Sequence, residues 1–191
     1  MTSPEDNRPH HHGNLRAALI DAGIDLLAEG GLSALTLRKC AARTGVSHAA
    51  PAHHFKGLKD LLTAIVTKAF TIFTRTMIEQ RDAAPDDPYA RLLAVCNGYL
   101  TFSRNHEALA TLMFMTDEIF TEDADYQTAA AASYQVLAEV CAPFESGPAG
   151  PRGLEVLIWS LVQGYASLVR TGQVDAAETP FADILPQLEL A

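Results

Sequence analysis

Residues 35–55, LTLRKCAARTGVSHAAPAHHF, restrict this chain more than any other stretch of it. Thr36 carries the hydroxyl of a good helix N-cap, able to accept from an orphan backbone N–H one turn in. Leu37, Cys40 and Ala41 fall on one face at helical spacing, and Arg38, Lys39, Ala42 and Arg43 on the other sides. Gly45 stands where a left-handed residue ends a helix. Ser47 then restarts the chain as the next N-cap. The pattern predicts a second short helix beginning at Ser47 or His48, with Phe55 anchored in a core. Pro51 fits such a helix only in its first turn, where the missing N–H is an orphan anyway. Two helices, a short turn with glycine and basic side chains around the second make a helix-turn-helix signature.

Charge points the same way. From Arg38 to Lys59 there are five Lys or Arg and no Asp or Glu. The whole chain has 14 Lys+Arg against 23 Asp+Glu, a formal charge of −9. Residues 1–60 hold 7 basic and 6 acidic side chains, and the remainder holds 7 and 17. A uniform sphere of that charge is repelled by DNA. A basic window at one end lets that end face phosphate while the acidic remainder stays in solution.

From about Gly13 to Phe70 the chain resembles the TetR family of transcriptional regulators. The resemblance is carried by HHGNLR (His11–Arg16), LIDAGIDLLAEGG, LTLRKCAARTGVS and AAPAHHFKGLKDLL. It implies a three-helix DNA-binding head, whose second motif helix enters the major groove, followed by a helical ligand and dimer domain. The candidate DNA contacts are then Thr36, Arg38, Ser47, His48, Ala49, Ala50, Pro51, His53, His54, Lys56 and Lys59. His54, beside Phe55, reads equally well as a packing residue. A base read by one of these histidines makes the preference pH-dependent, because only a protonated imidazole is a double donor. The family usually has a Tyr two residues after Ala50 and a Lys or Arg near Leu58, both touching phosphate. Here Ala52 and Leu58 stand in those places, with Lys56 and Lys59 nearby as substitutes.

The rest of the chain reads as all-α. A mobile tail is expected over 1–12, the head over 13–58, and a ligand and dimer domain over 59–191. His10, His11 and His12 invite a metal site or a purification remnant, but two of them belong to the family's lead-in. Asn14 can cap a first helix with Leu15, Leu19, Ala22 and Leu26 in one row. Gly57 starts a long helix whose apolar positions recur from Leu58 to Met77. Carried through about Gln80 it is roughly 35 Å long, a lever between head and body, with its N-terminal N–H groups open to a phosphate. Asp87 caps and Pro88 opens the next helix, Asn105 restarts a short one, and Tyr126–Cys141 form another. Gly147–Pro151 is a linker, Leu154–Arg170 is strongly apolar, and Phe181, Ile184, Leu185 and Leu188 mark a last short helix. Trp159-x-x-x-Gln163-Gly164 resembles the Trp…His-Gly signature of one TetR C-terminal subfamily, with Gln163 in place of the His. That resemblance implies a homodimer in which the last two helices pair with their two-fold mates in a four-helix bundle.

Tyr99, Phe102, Met113, Phe114, Met115, Phe120, Tyr134, Trp159 and Tyr165 fall in the middle helices. Together they suit an apolar, adaptable pocket, although each alone is equally a core residue. Cys40, Cys96 and Cys141 are odd in number and lie in apolar helical patterns, as buried reduced thiols do. There is no HExxH, GxSxG, phosphate-binding glycine loop or CxxC. The chain is therefore not expected to be an enzyme, and neither metal nor cofactor is expected. No run of eighteen apolar residues stands out, so a cytoplasmic chain with no membrane partner is expected. The reading these features favour is a homodimeric repressor that binds a pseudo-palindromic double-stranded operator and leaves it when a small apolar effector binds. The alternative is a helical ligand sensor that does not bind DNA and acts through a protein partner.

Overall fold

The computed structural model describes residues 15–114 and 116–191. The expectations for the tail, His10–His12, the Asn14 cap and Met115 lie outside the described residues. The α-helices are α1 (Leu15–Gly30), α2 (Leu37–Thr44), α3 (Leu58–Ala83), α4 (Pro88–Asn105), α5 (Glu107–Leu112), α6 (Ala124–Cys141), α7 (Gly150–Arg170) and α8 (Phe181–Ile184). Short 3-10 turns cover Leu32–Ala34, Ala50–His53 and Thr116–Glu118. Among the described residues there is no strand, and a single bridge ties Phe144 to Leu190.

The helix ends follow local chemistry. The Thr36 hydroxyl accepts from the Lys39 N–H at 3.1 Å, and Gly45, at φ 72°, closes α2 in the left-handed region. Asp87 accepts from Ala90 N–H at 2.8 Å, with Pro88 at the first turn of α4. Asp123 caps α6 through Tyr126 N–H at 3.0 Å. Asn105 ends α4, and α5 restarts two residues later at Glu107.

One continuous core runs from the head into the body, because α3 belongs to both. Its first turns bury Leu61, Leu62 and Ile65 beside Leu19, Leu26, Leu35, Cys40 and Phe55. A Cβ on Gly23 would lie 2.7 Å from the Ile65 side chain, so α1 and α3 approach closely there. Each large side chain buried in this way stabilises the fold by roughly 1.5–3 kcal/mol. Farther on, α3 packs against α4 and α6, with Phe73 edge-on to Tyr99 at a centroid distance of 5.3 Å. By length and composition α3 passes for a membrane span, but half of the apolar window is buried by neighbouring helices. After α7 the chain folds back: Tyr165 donates to the Thr179 carbonyl at 2.8 Å, and Tyr89 to that of Leu185 at 3.1 Å.

Candidate nucleic-acid interface and apolar cavity

The second motif element is shorter than the pattern predicts. After Gly45 the chain makes a 3-10 turn over Ala50–His53 and no α-helix. Ala50 N–H bonds to the Ser47 carbonyl, Ala52 N–H to Ala49 and His54 N–H to Pro51, each across three residues. Pro51 has no N–H to donate to Ser47, so no α-helical ladder propagates through this stretch. The Pro51 ring is fully buried in the head, which corrects its place among the DNA-contact candidates. Ser47, His48, Ala49, Ala52, His53 and His54 are exposed, and Ala50 is half-buried. His54 is therefore open to solvent and not a packing residue. On the neighbouring α2, Thr36, Arg38 and Lys39 are exposed as well. Arg38 has no carboxylate within ion-pair range among the described residues.

Two basic residues of the window are engaged within the protein. Arg43 forms a fork with Glu29, at 2.7 and 2.5 Å, with Asp25 at 3.8 Å. The hydrogen bonds from Arg43 hold the Glu29 carboxyl below the usual carboxylate range. Lys59 turns toward the body: its Nζ donates to the Asp117 carbonyl at 3.1 Å and lies 5.0 Å from the centre of the Phe120 ring. The buried Thr63 completes this junction, donating to the Lys59 carbonyl at 2.8 Å and accepting from Phe120 N–H at 2.9 Å. Lys56 is exposed, and its N–H donates to Asp60 at 2.9 Å. Helical spacing in α2 and α3 cannot reveal such contacts, because their partners lie on other elements.

A cavity of about 300 Å³ lies between α3, α4, α6 and α7. Of the residues expected there, Tyr99, Met113, Phe114, Tyr134 and Trp159 line it. Phe102 does not: it is buried in the core against Phe73, at 5.1 Å. Tyr165 faces away from the cavity and stacks edge-on with Phe181 at 5.2 Å. Phe70, Phe73 and Met77 of α3, Val95 and Cys96 of α4, and Tyr126 of α6 join the wall without having been expected there. Their apolar periodicity was visible, but not which part of each row faces a void. The wall is chemically quiet: burial pushes the Cys96 thiol up to about 12 and the Tyr99 phenol up to about 12.

The C-terminal end also differs from expectation. The last helix is the single turn Phe181–Ile184, because Pro180 opens it and Pro186 forces Leu185 into the extended region at ψ 120°. A single turn offers little length to a bundle with α7. The exposed apolar side chains Val156, Leu157 and Leu168 lie instead on α7, beside small exposed residues Ser160 and Gly164. The adjoining α6 exposes Ala131, Ala132 and Gln135.

Comparison with known proteins accounts for both halves. Residues 19–65 match the family described as bacterial regulatory proteins, tetR family, and residues 92–188 match the tetracyclin repressor-like C-terminal domain. Over 80 residues the chain is 38% identical to the HTH-type transcriptional regulator BetI of Burkholderia thailandensis, an alignment covering 42% of this chain and 41% of that relative. The matched stretch is thus about two fifths of the relative's length. A solved protein of unknown function from Rhodococcus sp. RHA1 is 27% identical, with TM-score 0.78 over 94% of this chain and 100% of that one. The TetR-like regulator LfrR from Mycobacterium smegmatis, solved in complex with proflavine, shares the fold at 18% identity and TM-score 0.62, over 90% of this chain and 92% of that one. The family is one of regulators and not of enzymes. With its head matched to one description and half of its length to the other, the chain belongs to the tetR family of bacterial regulatory proteins.

Proposed function

We propose that this chain is a DNA-binding transcriptional repressor, acting in the cytoplasm as a homodimer and released from its operator by a small apolar ligand. Residues 13–58 serve as the DNA head and 59–191 as the ligand and dimer body. The observation that carries the reading is the exposure of Ser47, His48, Ala49, Ala52 and His53 along a turn anchored by the buried Pro51 and Phe55, together with the exposed Arg38 of the Thr36-capped α2. Alanines at 49 and 52 let the backbone of the turn come close to base edges, where an Ala methyl can meet a thymine methyl. Thr36, Arg38, Lys56 and His54 flank that turn and suit phosphate.

Two such heads on a two-fold axis suit a pseudo-palindromic site with half-sites about one helical turn apart. The α6–α7 face, apolar in Val156, Leu157 and Leu168 with small Ala131, Ala132, Ser160 and Gly164 beside them, suits an isologous partner. The cavity supports the effector, as does the fold shared with a regulator crystallised with proflavine. Coupling between the two sites has a short route. Met113 and Phe114 wall the cavity, and a few residues on, Asp117 and Phe120 are bonded to Lys59 and Thr63 at the start of α3. An effector that favours the arrangement with Lys59 bound to the body shifts the population away from DNA, with no chemistry needed.

The test is a gel-shift titration with DNA from around the protein's own gene, repeated at several salt concentrations. Binding should fall steeply with salt, since phosphate neutralisation supplies most of it, and Arg38→Ala should lower the salt slope by about 1. Ala52, Leu58 and the engaged Lys59 favour the second reading, a ligand sensor acting through a protein partner. A salt-insensitive interaction, unchanged by Arg38→Ala, selects it over the first.

A further inference from the structure

One polar group at the cavity has no partner. The Tyr134 hydroxyl is out of solvent and makes no hydrogen bond among the described residues. Ser133, also on the wall, donates to the Ala130 carbonyl at 2.7 Å. The Tyr99 phenol has the Ser103 side chain beside it, which eases its ionisation, and Tyr126 keeps part of its surface in water. Thr74, the other buried hydroxyl without a partner among the described residues, does not line the cavity.

The Tyr134 ring is held in place. The Arg152 guanidinium lies 4.3 Å from its centroid, and Trp159 stands 6.5 Å away. Arg152 is itself largely exposed and sits 3.7 Å from Glu155. A cation over the ring favours electron withdrawal from the phenol, which makes its O–H a better donor. Among the described residues, no Asp, Glu, Lys, Arg or His lines the cavity. A charged ligand would therefore leave water without a counter-charge, which an apolar wall does not repay.

We propose that Tyr134 determines specificity in this cavity, and that the ligand is a neutral, mostly apolar molecule carrying one hydrogen-bond acceptor. The inference rests on the cavity being the effector site and adds the chemistry of what it accepts. The acceptor takes up the Tyr134 O–H, which is buried on this wall without a partner among the described residues. A volume of about 300 Å³ has room for a ligand the size of a medium ring or a bicycle.

Trp159, the only tryptophan in the chain, stands on the wall and reports occupancy through its emission. Four probes of similar size separate the terms: cyclooctanone, cyclooctane, cyclooctanecarboxylate and cyclooctylammonium; because the ketone's weak carbonyl band overlaps tryptophan absorption, its affinity is also read by calorimetry. The ketone should bind about tenfold more tightly than the alkane, and neither ion should bind in the same range. Tyr134→Phe should bring the ketone down to the alkane's affinity. Equal binding of ketone and alkane by the wild type overturns the proposal. So does a ketone preference that survives Tyr134→Phe, binding of either ion as tight as the ketone's, or no binding of any probe. If Tyr134→Phe does not fold, the ranking of the four probes on the native protein decides. Gel shifts with the same probes test the regulatory reading separately. Ketone-selective binding that leaves DNA affinity unchanged removes the repressor mechanism and keeps the Tyr134 assignment.

Discussion

Gly98→Ala sets two calculable effects against each other. Gly98 lies inside α4, where an alanine is worth about 1 kcal/mol more than glycine in helix propensity. On that ground alone the substitution stabilises. The tertiary structure reverses the sign. A Cβ at position 98 would stand 2.7 Å from the Met77 Cα, 3.2 Å from its nitrogen and 3.2 Å from the Thr76 carbonyl oxygen. All three are backbone atoms of α3, so no rotamer change relieves them. Carbon atoms rest at about 3.5–4.0 Å, so α4 must move off α3 by about 1 Å. Overpacking of this kind costs about 1–3 kcal/mol, with the upper part of that range fitting a backbone obstacle. Phe73 and Tyr99, edge-on between α3 and α4 at 5.3 Å, lose packing too. The net loss should be about 1–2 kcal/mol. Urea unfolding at fixed protein concentration measures it: with a slope of about 2 kcal/mol/M the midpoint falls by about 0.5–1 M. An unchanged or raised midpoint refutes the reasoning, because it would mean that propensity outweighs the helix contact. Met77, Val95, Cys96 and Tyr99 also line the cavity, so ligand affinity should change in the same variant.

The matched substitution Gly164→Ala has open space around it on the exposed face of α7, and dilute protein should gain up to about 1 kcal/mol. A loss that deepens with protein concentration would put Gly164 in the dimer seam. Thr63→Val keeps shape but removes the hydroxyl shared by Lys59 and Phe120, leaving the Phe120 N–H unpaired. A loss of about 1–3 kcal/mol is expected, with faster amide exchange at Phe120 than at α6 as the local sign. Thr36→Ala deletes the α2 cap and should cost about 1 kcal/mol, read by urea unfolding. Burial raises the Cys96 and Cys141 thiols to about 12 and about 11, from 9.0 when unfolded. Both are protonated in either state below pH 9, so their contribution is complete there. As pH rises from 9 toward 12 the unfolded chain releases protons that the native state keeps, and stability falls. The Cys96→Ala, Cys141→Ala double variant should show a shallower alkaline decline, and an unaltered slope would count against burial as the cause.

Much of this was readable in the residues. The Thr36 cap, the Gly45 end and the Asp87–Pro88 start were all visible, because caps and breakers act through hydrogen bonds and backbone angles within about four residues. The basic window was equally plain, since charge is counted without knowing the fold. Three things had to wait for the helices to be assembled. Pro51 entered the core, and a 3-10 turn stands where a helix was expected. Lys59 was drawn to Asp117, 58 positions along the chain, so a residue that reads as a phosphate contact is bonded to the body. The cavity wall came from four helices, and Phe102 and Tyr165 fell outside it while Phe70 and Met77 fell inside. A periodic apolar row states which side of a helix avoids water. Whether that side meets another side chain or an empty space depends on how far apart neighbouring helices are held, and no local pattern along the chain encodes that distance.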